Sequence, residues 1–79
     1  MNEYDFQEDM AFAHVVNRHG KSMTAQQMIP LVLAQFSAMS RSAGAAIQHV
    51  NFIRRLLNGK CHKYPAKYTN VVITQLLKA

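Results

Sequence analysis

The sequence predicts an all-α fold, a compact bundle of four or five short helices in one domain over residues 1–79. Three observations predict it. Apolar residues recur at helical spacing in two stretches, Phe6, Met10, Ala13, Val16 and Ala46, Val50, Ile53, Leu57. Helix start and stop signals bracket the apolar segments. The chain has 79 residues, 49% of them hydrophobic, enough for a modest core but not a large one. Stability is then marginal, and self-association would relieve it.

The first helix is expected from Glu3 to Arg18. Asn2 can cap it, and Glu3, Asp5, Glu8 and Asp9 crowd its first turns, where the helix dipole favours negative charge. Gly20 is placed to take a left-handed stop conformation. A second start follows at Thr24 with Gln27, the pattern of a capping box, and leads into Met28, Ile29, Leu31, Val32, Leu33 and Phe36. Pro30 lies too deep to be the first helical residue, so it either kinks this helix or ends a short turn and starts a new segment.

From Ser37 to Ala46 small residues dominate and lower helix propensity, which fits a turn. The next helix carries the stripe Ala46, Val50, Ile53 and Leu57 and stops at Asn58-Gly59. A basic loop from Lys60 to Lys63 follows, and Pro65 can occupy the first turn of a last helix running toward Leu77. Val71, Val72, Ile73 and Thr74 are β-branched and leave a strand as the alternative for that segment.

Charge is segregated along the chain. All four carboxylate side chains lie in the first nine residues, whereas all nine Lys and Arg fall between Met10 and Ala79. A basic stretch without an acidic side chain invites an external polyanion. The one cysteine, Cys61, cannot form an intramolecular disulfide and fits a reducing, cytoplasmic setting. The longest apolar stretch, from Met28 to Met39, is too short and too interrupted for a membrane span, and the acidic start is unlike a leader, so the chain is expected to be mature from Met1.

Enzymatic chemistry is not expected, because the carboxylates are confined to one helix and there is no glycine-rich phosphate loop. Cys61 and His62 are chain neighbours that need not face one another. His14 and His19 are off the spacing that puts two metal ligands on one helix face, so the histidines are read as surface or boundary residues and no cofactor is implied. His49 and His62 would gain charge below neutral pH and strengthen polyanion binding.

The segment Phe36-Ser-Ala-Met-Ser-Arg-Ser-Ala-Gly-Ala-Ala-Ile-Gln-His-Val-Asn-Phe-Ile-Arg-Arg55 resembles the helix-turn-helix of phage and bacterial repressors. Met39 stands where that family has an apolar residue, Ser40 where it has a small one, and Gly44 where it has its turn glycine. Ala43, Ala45, Val50 and Ile53 stand at its interhelical apolar positions. Ser40 and Ala45 depart from the commonest residues, alanine and a larger aliphatic. Leu56-Leu-Asn-Gly-Lys60 then resembles the end of a recognition helix, so the likeness covers residues 36–60. It implies a DNA-binding transcriptional regulator.

A rotation of about 100° per residue puts Gln48, Asn51 and Arg55 together, opposite the apolar stripe. Gln and Asn can each pair bidentately with adenine, and Arg with guanine, so these three are the expected base-reading residues. Arg41, Arg54, Lys60, Lys63 and Lys67 are the expected phosphate-binding residues. A solvated helix face would have the same composition. Phe52 is expected in core or dimer packing rather than on a thymine methyl, and Tyr64 and Tyr68 in a partly buried rim rather than stacked on exposed bases.

The expected partners are double-stranded DNA and a second copy of the chain, since a two-fold dimer suits a palindromic operator. The first or last helix would supply the dimer contact. Two other readings share this composition: a small inhibitor or adaptor docking on an acidic host protein, and a sequence-independent nucleic-acid binder.

Overall fold

Asp5 starts the first helix. Its carboxylate accepts the Glu8 backbone N–H at 2.8 Å, and the Glu8 carboxylate accepts that of Asp5 at 3.3 Å, a reciprocal capping box. The computed structural model describes residues 4–37, 40–60 and 63–79, so the expected cap, Asn2, and Glu3 lie outside the described residues. α1 spans Phe6–His19. Its core face is wider than the expected stripe and shifted along the helix: Phe6 is 38% exposed and Met10 half-buried, Ala13 and Val16 are buried as expected, and Phe12 and Val15 are buried beside them. The buried stripe includes Glu8 and Asp9. Ala13 and Val16 of the expected stripe are thus in the core, Met10 borders it, and only Phe6 falls outside.

Gly20 ends α1 with φ −60° and ψ −22°, right-handed rather than left-handed as expected. A Cβ there would stand 2.6 Å from the Val16 carbonyl oxygen, so close approach is what requires glycine. α2, Ala25–Gln35, opens with the expected box: Gln27 N–H donates to Thr24 Oγ1 at 3.2 Å and Thr24 N–H to Gln27 Oε1 at 2.9 Å. The helix continues through Pro30. That ring and Gln26, whose carbonyl loses its helical partner, are both solvent-exposed, so water can satisfy the carbonyl.

α3 spans Ala43–Leu57. Ser42 caps it, its Oγ accepting from Ala45 N–H at 3.1 Å. Gly44 therefore lies in the first helical turn, not in the connection, which is Phe36 to Ser42; Met39 lies outside the described residues. At the other end Gly59 adopts φ +70°, Lys60 N–H reaches the Arg55 carbonyl at 2.9 Å and Gly59 N–H that of Leu56 at 3.3 Å. This is a Schellman stop at the expected glycine. Cys61 and His62, in the expected basic loop, lie outside the described residues.

α4, Asn70–Leu77, starts later than Pro65 suggests. Pro65 instead opens a turn closed by Tyr68 N–H on its carbonyl at 3.0 Å, and Thr69 provides the cap by accepting from Val72 N–H at 3.3 Å. The β-branched run is helical, and no strand occurs among the described residues. None of the helices is long and apolar enough to cross a membrane.

Contacts at both ends fix the packing. Arg41, just before α3, pairs with Glu8, and Tyr4 Oη donates to the Ala45 carbonyl, while Arg54 near the end of α3 reaches Gly20 at the end of α1. α1 and α3 thus run side by side in the same direction. α2 returns between these ends, and the core formed by Phe12, Met28, Val32, Val50, Ile53 and Leu76 draws on all four helices. Asn17 ties down α4, donating from Nδ2 to the Leu76 carbonyl at 2.9 Å and the Ala79 oxygen at 3.2 Å.

Candidate nucleic-acid interface

Burial of Ala46, His49, Val50, Ile53 and Leu56 fixes the rotation of α3. The opposite side carries Gln48 and Arg55, both exposed, with Asn51 half-buried between them. Gly44 and Ala45 precede them and are exposed, so no large side chain stands off the first turn. The three expected reading residues therefore share one solvent-facing strip.

The expected phosphate ligands divide into two groups. Arg41 grips the Glu8 carboxylate through Nε at 3.0 Å and Nη2 at 2.8 Å, and its guanidinium lies 4.0 Å from the Tyr4 ring centroid. Arg54 donates from Nη2 to the carbonyls of Gly20 and Met23. Lys67 donates to the Tyr4 carbonyl and stands 3.6 Å from Asp9 Oδ2. These three hold the fold. Lys60 and Lys63 remain exposed beyond the end of α3.

Asp9 is the centre that the sequence reading assigned only to the dipole of α1. It is 1% exposed; its Oδ1 is 2.6 Å from His49 Nε2 and its Oδ2 accepts from Tyr68 Oη at 2.9 Å. His49 is buried, not at the surface or boundary as expected, and Tyr4 stacks on it at 3.6 Å with planes 8° apart. Phe52 packs between His49 and Tyr68, at 5.7 and 5.2 Å. Tyr68 is core rather than rim, while Tyr64 is 41% exposed. A signal was present in the sequence: Asp9 keeps helical phase with Phe12 and Val16, and His49 with Ala46 and Ile53, which puts both on core stripes.

Electrostatics follow from these contacts. The hydrogen-bonded Arg41 guanidinium holds the Glu8 carboxyl below its ordinary 4.5, and Glu8 in turn raises Arg41. Burial raises the Tyr4 hydroxyl, against the opposing pull of Arg41. Because Glu8 has a depressed value in the folded state, its contribution to stability is complete above 4.5 and is lost as pH falls through the lower folded value. The melting temperature is expected to fall on acidification below that point, and Glu8→Gln to flatten this limb. Parallel acid limbs for the two proteins would refute the role of the pair.

Comparison of the chain with protein-family models, with curated proteins and with solved structures finds no match in any of the three.

Proposed function

We propose that this chain is a small DNA-binding regulator that lays α3 in the major groove. One observation carries the reading: the solvent strip of α3 presents Gln48, Asn51 and Arg55, hydrogen-bonding groups suited to base edges, with no acidic side chain among them. Lys60 and Lys63 follow the helix and hold phosphates beyond the C-terminal end of the docked strip. Arg41 and Arg54 set α3 against α1, and Lys67 ties the segment before α4 to Tyr4 and Asp9. The exposed small residues of the first turn let the start of α3 come close to the duplex. The copy that completes a palindromic reader packs through α4, where Val71 is 68% and Leu77 50% exposed.

Selection from a random duplex pool, followed by gel shift over a salt series, tests the reading. Gln48→Ala and Asn51→Ala are each expected to lose roughly 10- to 100-fold of the preference for the selected sequence, the worth of one bidentate base contact. Lys60→Ala should weaken all sequences alike and reduce the salt dependence by about one phosphate contact. Absence of binding to any duplex at low salt would overturn the proposal. Unchanged preference in the Gln48 and Asn51 variants would overturn the assignment of α3 as the reading helix.

A further inference from the structure

The parallel run of α1 and α3 brings their two C-terminal ends together, and a partly enclosed pocket of about 320 Å³ opens between them. Arg18, Lys21 and Arg54 line it, with Asn17, Gly20 and Asn58. None of the lining residues is acidic. Every carboxylate side chain described belongs to the opposite end of α1 or its cap, while the last backbone oxygen, of Ala79, is held by Asn17 at 3.2 Å.

Helix C-termini disfavour an anion, since each carries about half a negative charge: those of α1 and α3 and, held by Asn17, that of α4, roughly one and a half in total. Three full cations exceed that. The backbone there is also partly answered already: Arg54 Nη2 donates to the carbonyl of Gly20, which lines the pocket, and to that of Met23 just beyond it. Arg54 Nε and Nη1 take no internal acceptor among the described residues. Arg18 uses Nη1 on His14 Nδ1 at 3.0 Å, and Lys21 is exposed with no internal bond among the described residues. The pocket therefore offers two guanidinium edges and an ammonium around one concave space, a donor set that suits a tetrahedral oxyanion. Its volume is at the low end of small-ligand sites, room for a phosphate group and part of what it is attached to.

We infer that this pocket is a phosphate-binding site in which Arg18, Lys21 and Arg54 enclose one phosphate group, either free or part of a nucleic-acid backbone. Arg18 and Lys21 supply the outer wall and can be removed without touching the core. Arg54 supplies the inner wall while bracing the loop after α1.

Amide chemical-shift titration of the full chain with inorganic phosphate, at ionic strength held constant with chloride, tests it. Gly20, Lys21 and Asn58 amides are expected to move with phosphate and not with chloride. Arg18→Ala combined with Lys21→Ala is expected to weaken phosphate at least tenfold with an unchanged melting temperature, while Lys78→Ala, outside the pocket, leaves it unaltered. Equal shifts in phosphate and chloride, or undiminished affinity in the double variant, overturns the inference. A short single-stranded oligonucleotide added to the phosphate-loaded protein separates the sources. Displacement of phosphate from the same amides identifies a backbone phosphate, and simultaneous occupancy identifies a free one. Both arms read the pocket directly, so loss of sequence preference on α3 leaves the result intact.

Discussion

Asp9→Ala is expected to cost about 3–5 kcal/mol, because it removes the carboxylate at the centre of a buried ionic and hydrogen-bonded cluster that His49, Tyr68 and Lys67 share. His49 Nε2 and the Tyr68 hydroxyl, at 2.6 and 2.9 Å from the carboxylate, would both lose their bond where water scarcely reaches. A domain of this length has roughly 4–12 kcal/mol in all, so the variant is close to unfolded at room temperature or melts well over ten degrees lower, roughly 4–8 °C per kcal/mol. Asp9→Asn keeps an acceptor for His49 and can donate to the Tyr68 oxygen, so it should fall between the two. Tyr68→Phe supplies the control: destabilising in the natural chain, where it removes the bond to Asp9, it should cost less beside Asp9→Ala, where that bond is already gone. Additive losses in thermal or denaturant unfolding would show that the Asp9–Tyr68 bond contributes nothing.

Why this centre escaped the sequence is a matter of range. The Thr24–Gln27 box, the α3 stripe and the Gly59 stop are decided by residues within five positions of one another, and each stands where the sequence puts it. Asp9 also has a sufficient local explanation, the dipole of α1, and local rules stop once they are satisfied. Its partners are 40 and 59 positions away. The cations behave alike: composition counts Arg41, Arg54 and Lys67 with Lys60, and only the packing of α1 on α3 shows that the first three meet Glu8, Gly20 and Tyr4. Helical period was enough to gather Gln48, Asn51 and Arg55 on one strip. Gly44 marks the limit, since Ser42 caps α3 two residues earlier and carries the glycine into the helix.

The same junction is held from its apolar side by Phe12, and Phe12→Ala is expected to cost about 3–5 kcal/mol, the range for emptying a buried aromatic position. The ring has no solvent exposure and meets His49 edge-on at 4.7 Å, 85° between planes, and Tyr4 at 5.5 Å, 87°. Phe12→Leu keeps most of the volume and should cost no more than about 1.5 kcal/mol. Denaturant unfolding gives both numbers, and a Phe12→Ala loss under about 1 kcal/mol would contradict the packing described. Because Phe12 and Asp9 both bear on His49, their substitutions should not add: once Asp9→Ala has freed the imidazole, it can relax into the cavity left by Phe12→Ala, and the double variant should lose less than the two single losses combined. Additivity would mean that charge and ring hold α3 independently. Sub-additivity would mean that they hold it through one side chain, His49, on the face of α3 that Gln48 and Asn51 turn away from.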